Sequence, residues 1–289
     1  MRATRVLAGV DGWLFAPGPP LRLEVVRRLV ALLIGVRLAL WGYWHLAGQP
    51  PPLFIPQGVI SLLFDRMPPL ATIVALQVGG TTAAMAVTAG RARRWGLPLA
   101  WACLLVLAGL RGSLGKILHN DVLVLLATVP LLVAPAERRA PEERAGWPVR
   151  AAMVVVAGSY LFTGVAKVVH SGMDWVTSDN MRWVMAEAAR DPRGPIEGVA
   201  RFIAGHGAVA HAVAAAILAL ELAFPLVLFR PRLAPLFLAG AVAFHAGTWI
   251  TLGLDYWGHL AVVAIVLVEW DRLSLPRSFP RISGTRRPA

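Results

Sequence analysis

Two lysines occur in the whole chain, Lys116 and Lys167, while nearly every other basic residue is an arginine. Lys167 closes an apolar run in the segment Tyr160-Leu-Phe-Thr-Gly164-Val-Ala-Lys167, and Asp174-Trp175 follows shortly after. An amine placed where hydrocarbon meets water loses solvation in its charged form, which makes it a candidate proton acceptor. Lys167 is therefore the leading candidate for chemistry. The bland alternative is a snorkelling side chain, with its stem in hydrocarbon and its head in water.

The elements that must position this lysine follow from composition. Of 289 residues, 57% are hydrophobic and only 15% charged, and the mean hydropathy is +0.63, far from the balance of a soluble domain. The expected class is an all-α, polytopic transmembrane helix bundle. About eight apolar runs approach the roughly 20 residues needed to cross a bilayer: Leu29 to Ala47, Leu70 to Gly90, Leu97 to Leu110, Ile117 to Ala134, Ala151 to Val168, Ala208 to Phe229, Leu233 to Leu252 and Trp257 to Val268. The third and last are short enough to be re-entrant. Met1 to Pro20 lacks a continuous apolar core, so it reads as an interfacial anchor through Trp13, Leu14 and Phe15 rather than as a cleaved signal.

Arginine placement gives an expected orientation, because positive loop charges stay on the cytoplasmic side. Arginines cluster before the first run, after the second (Arg91, Arg93, Arg94), after the fourth (Arg138, Arg139, Arg144, Arg150), in the sixth turn (Arg230, Arg232) and in the tail from Arg272. Every second connection is thus basic, as both termini in the cytoplasm would require. A single transmembrane domain over 1–289 is expected, with residues 1–28 cytoplasmic or interfacial, a long extracytoplasmic loop over 169–207 and a cytoplasmic tail over 270–289. The net charge of +12 then reports topology and attraction to anionic lipid, not nucleic-acid binding.

Helical rise groups the ionisable residues by depth. Lys167 lies 17 residues beyond Arg150 and His119 lies 18 residues before Glu137, or about 25 and 27 Å along a helix. Asp255, Tyr256, Trp257 and His259 open the last run at the same level, with Asn120, Thr248 and Trp249 nearby. This outer layer suits a planar, redox-active ligand entering from lipid. Arg37 and Glu221 each fall nine residues inside a basic edge, about 13 Å deep, and are expected to form a structural ion pair with each other. Trp41 and Trp44 share the face of Arg37 and read as packing. His245, in mid-run, needs a polar partner whether it is structural or functional.

Other chemistries are poorly served. Cys103 is the single cysteine, so neither a disulfide nor a CxxC site can form within the chain. The histidines are dispersed, without HxH or HxxE pairs, so no metal cofactor is expected. No Ser-His-Asp or phosphate-loop signature is present.

The string Tyr160-x-x-x-Gly164-x-x-Lys167 followed by Asp174-Trp175 resembles the signature around the active-site lysine of the vitamin K-dependent gamma-carboxylase and its bacterial relatives, the horizontally transferred transmembrane (HTTM) domain proteins. His119-Asn120-Asp121-Val122-Leu123, Glu221-Leu-Ala-Phe-Pro225 and Phe244-His245 extend the likeness through most of the chain. It implies a short, bacterial-type member without the carboxylase's large extramembrane portion. It further implies that Lys167 deprotonates a reduced naphthoquinone, vitamin K hydroquinone or menaquinol. Oxygen then adds, an epoxide forms, and the strong base released can carboxylate a glutamate with carbon dioxide. His119 would stabilise oxygen anions, and Asn120, Tyr160, Thr163, Trp175, His245, Trp249, Tyr256 and His259 would surround the quinone. The departures are a longer spacing from Lys167 to Asp174, one lysine where the carboxylase has two, and the order His119-Asn120 in place of asparagine-histidine.

The favoured expectation is thus a cytoplasmic-membrane enzyme with its site towards the extracytoplasmic side, its partners lipid, quinone and a peptide or small secreted protein substrate. The alternative is a non-enzymatic quinone- or lipid-binding subunit, or a membrane partner of a secreted factor. A transporter is weaker, since no broken helices recur in matching halves.

Overall fold

The computed structural model describes residues 11–115, 119–135 and 140–273, with the side chains of His119 and Glu197 outside that description. The start of the expected interfacial segment, Lys116, residues 136–139 in the connection after the fourth run and the tail beyond 273 lie outside it too. Every regular element among the described residues is helical. In chain order these are α1 (Pro20–Leu40), α2 (Leu70–Thr88), α3 (Gly96–Gly112), α4 (Val122–Leu132), α5 (Glu142–Ser171), α6 (Asp174–Thr177), α7 (Asn180–Arg190), α8 (Glu197–Gly205), α9 (Gly207–Ala223), α10 (Leu226–Phe229), α11 (Ala234–Leu252) and α12 (Trp257–Leu267).

Three helical stretches are long and apolar enough to cross a membrane by themselves: α2, α5 and Pro231–Leu252, which is α11 with the turn before it. A fourth crossing results if α8 and α9, bent by 105° at a short break, count as one. The outer faces of these helices are as apolar as their packed faces, with Val78, Phe162, Val169 and Leu236 exposed. A helix that is hydrophobic all round is what a lipid surrounding permits. Inside, Val30, Ile34 and Leu38 of α1 meet Leu104 and Leu107 of α3, Val156 of α5 and Val262 and Val266 of α12 in one continuous core.

The first expected run is displaced. Its helix starts at Pro20, whose fixed φ suits a first helical position, and stops at Leu40, where Trp41 turns to extended backbone. Gln77 of α2 holds that end by donating to the Leu38 and Trp41 carbonyls at 2.7 and 2.8 Å. Arg22, Arg27 and Arg28, expected to lie outside the helix, are within it. Arg27 is buried by donating to the Pro135 and Arg93 carbonyls, both at 2.7 Å, and Glu24 binds Arg28 and Arg93.

The stretch expected as a long loop, 169–207, is mostly helical. Its α7 and α8 pack through Met181, Met185, Ala200 and Ile203 onto Ala210 and Ala214 of α9, a small core separate from the main one. Arg193 and Gly194 then lie against the end of α11, next to the link that carries Leu254 and Tyr256.

Candidate active site in a central cavity

Positions 160, 163 and 167 fall at i, i+3 and i+7, so one face of α5 presents Tyr160, Thr163 and Lys167 together. The Tyr160 hydroxyl lies 3.0 Å from Nε2 of His245 on α11, which is the polar partner that a histidine in mid-helix requires. Its ring stacks on Phe224 at 4.0 Å between centroids, and Phe224 leans on Phe237. Position and rotation of Tyr160 are thereby set by α11 and by the break between α9 and α10.

Lys167 donates through Nζ to both oxygens of Glu221, at 2.6 and 2.8 Å. The Glu221 side chain is 2% exposed and that of Lys167 16%. Gly164 makes this approach possible, because α9 packs directly on the space where a side chain would stand. The Trp175 ring covers the ammonium from α6, its centroid 5.1 Å from Nζ, a distance at which a ring face attracts a cation.

These groups line a cavity of about 490 Å³, inside the size range of small-molecule sites. Lys167, Glu221, Thr163 and Tyr160 form one wall; Phe244, His245 and Thr248 of α11 form another. Val122 and Leu123 of α4, Leu254, Tyr256 and His259 complete it. The rings of His245, Tyr256 and His259 cluster, with centroids 5.3 to 6.1 Å apart. The chamber is therefore largely apolar and aromatic, with one ion pair and one tyrosine-histidine hydrogen bond in its walls. Such walls suit a small, largely apolar molecule that carries a polar group.

Six of the residues expected to be catalytic or to surround the quinone meet in this cavity: Lys167, Tyr160, Thr163, His245, Tyr256 and His259. Trp175 touches Lys167 from outside the lining. Asn120 is placed elsewhere, its side chain donating to the Asp255 carbonyl and tying the start of α4 to the link before α12. Trp249 is half-exposed and does not line the cavity. The side chain of His119 lies outside the described residues. Among those described, no three His, Cys, Asp or Glu side chains are grouped as a metal site needs.

The expected pairing of Arg37 with Glu221 is corrected by the structure. Arg37 lies in the last turn of α1 and donates from Nε to Asp121 at 2.7 Å, with Asp255 3.9 Å from Nη1. Its guanidinium also lies between the rings of Trp41 and Trp257, at 5.0 and 4.9 Å. The depth estimate failed because it treated each run as one straight helix starting at its basic edge. In fact α1 begins among its arginines, and the chain from Glu221 to Arg230 breaks at Phe224-Pro225 into α9 and α10.

Sequence reasoning also missed that Glu221 is the partner of Lys167. Gly164 carried a usable signal, since a glycine one turn before a membrane lysine marks a place where another helix can come close. Comparison with family models, curated proteins and solved structures finds no match, so the geometry of the cavity carries the functional argument.

Proposed function

We propose that this chain is a multi-pass protein of the cytoplasmic membrane, with about eight crossings or part-crossings and both termini cytoplasmic, that activates a reduced naphthoquinone at a site towards the extracytoplasmic side. The observation that carries the reading is the convergence of Lys167, Tyr160, Thr163, His245, Tyr256 and His259 on one apolar cavity. They come from α5 and, far along the chain, from α11 and the start of α12, and the resemblance to the gamma-carboxylase and HTTM proteins assigns them to one site.

With oxygen as co-substrate, the quinol supplies reducing equivalents and, on conversion to its epoxide, a base strong enough to drive carboxylation of a glutamate by carbon dioxide. The protein's share is binding, orientation and proton movement. Phe244, Leu123 and Leu254 exclude water, Tyr256 and His259 give aromatic faces for stacking, and the Tyr160-His245 pair offers a hydrogen bond to an oxygen at one end of the ligand. Lys167 and Glu221 stand where a ligand hydroxyl would yield its proton. The resemblance gives His119 the stabilising of oxygen anions.

A second reading has its own observation. The Lys167 ammonium is already neutralised by both oxygens of Glu221, as a clasp between α5 and α9 would be, and a quinone- or lipid-binding subunit needs no more. Turnover separates the two. The full chain in lipid nanodiscs, given vitamin K hydroquinone and oxygen, is expected to yield epoxide by mass spectrometry where Lys167→Ala yields none. Binding of the quinone without epoxide from either protein would favour the subunit.

A further inference from the structure

Lys167 Nζ lies 2.6 and 2.8 Å from the two oxygens of one carboxylate, the placement of a charge-paired ammonium, and an ammonium has no lone pair with which to take a proton. The lining holds four other titratable side chains, of which Tyr160 and His245 already bond each other at 3.0 Å. Glu221 is the sole anion among the described residues of the wall. The most direct lysine-base route from this arrangement first moves the Lys167 proton onto Glu221, the group it is bonded to.

Resting on the quinol reading, the geometry points to Glu221 as the proton acceptor of the cavity and to Lys167 as the cation that receives the resulting anion. A hydroxyl of a neutral, phenol-like ligand loses its proton to a Glu221 oxygen. The ligand O–H bond breaks, a carboxylic O–H bond forms, and the electron pair stays on the ligand oxygen, which now faces the Lys167 ammonium. One cation and one anion occupy the site before and after. In a chamber with walls this apolar, a transfer that creates no net charge avoids the desolvation penalty of an unpaired ion. Gly164 and Trp175 serve this arrangement by holding the pair together, the first by closeness and the second over the ammonium face.

The test uses the full chain in nanodiscs, kept free of oxygen, with 1-naphthol as a single-hydroxyl stand-in for the quinol. Quenching of naphthol fluorescence reports binding, naphtholate absorbance reports proton loss, and the infrared carbonyl band of a carboxylic acid reports where the proton went. Wild type is expected to give both naphtholate and the acid band. Lys167→Arg, which keeps the cation, is expected to retain them; Glu221→Gln is expected to bind naphthol but lose both, with Glu221→Asp restoring part. Turnover with vitamin K hydroquinone and oxygen should fall about 100-fold or more in Glu221→Gln and less in Lys167→Arg. Naphtholate that survives Glu221→Gln and vanishes in Lys167→Arg overturns the assignment and returns the base to the lysine. No binding of naphthol by wild type removes the quinol reading itself, and this inference with it.

Discussion

Gly164 stands one turn before Lys167 and faces Glu221 so closely that a Cβ placed on it would lie 3.0 Å from the Glu221 Cβ and equally near a methyl of Leu222. Helix association within lipid gains little from the hydrophobic effect and depends on close packing, so a missing side chain here has a direct energetic role. Gly164→Ala requires a shift of a few tenths of an ångström, and Gly164→Val a larger displacement of α9. Destabilisation of about 1 kcal/mol for alanine and about 3 for valine is expected. Thermal unfolding in detergent measures it. Equal stability of the valine variant and wild type would show that α9 has room to move away.

Tyr160 has two separable attachments, its hydroxyl to His245 and its ring to Phe224. Tyr160→Phe keeps the stack and strands Nε2 of a buried histidine, at a cost of about 1–3 kcal/mol. Phe224→Ala removes a fully buried ring and is expected to cost about 3–5 kcal/mol. The order of the two effects, read from melting in detergent, is the check. A larger loss in Tyr160→Phe would mean that the hydrogen bond, not the aromatic stack, holds α5 against α9 and α11.

Arg37 and Asp121 form a pair whose side chains are 0% and 6% exposed. Removing one partner leaves the other charge buried, which typically costs about 3–5 kcal/mol. Arg37→Gln and Asp121→Asn are each expected to destabilise by that order, while the double variant loses much less than their sum. Combined with Glu221→Gln, Arg37→Gln should instead be additive to within about 0.5 kcal/mol, as independent sites are. Strong coupling between Arg37 and Glu221 would contradict two separate ion pairs.

The parts of this site that share one helix were legible in the sequence, and the parts that depend on how helices meet were not. The resemblance grouped Tyr160, Thr163 and Lys167, and their i, i+3, i+7 spacing sets them on one face of α5. The apolar runs marked α2 and α11 within a few residues, because no Asp, Glu, Lys or Arg interrupts them. α1 was misplaced because its first half is rich in arginine, and no sequence pattern says that Arg27 will be absorbed by the carbonyls of Pro135 and Arg93. The pairing of Glu221 with Lys167 was hidden for a related reason. Depth along an ideal helix is a one-dimensional measure, and the break at Phe224-Pro225 and the 105° bend before α9 lie outside it.

Gly253 closes α11 in the left-handed region, at φ +65°, and a Cβ there would also run into the carbonyl of Arg193 in the connection between α7 and α8. The reciprocal contact is at Gly194, where a Cβ would strike the Ile250 carbonyl near the end of α11. Backbone thus lies on backbone at both points, and the link bearing Leu254 and Tyr256 is held over the cavity by the small α7–α8 core. Gly253→Ala combines a left-handed alanine, about 1–2 kcal/mol, with a collision that only backbone movement relieves. The expected result is a modest loss of overall stability but a large loss of naphthol affinity, because the displaced link carries part of the cavity wall. Affinity measured by fluorescence quenching, beside thermal unfolding of the same sample, distinguishes this from general damage. If affinity falls no more than stability predicts, the link is not what shapes the ligand site.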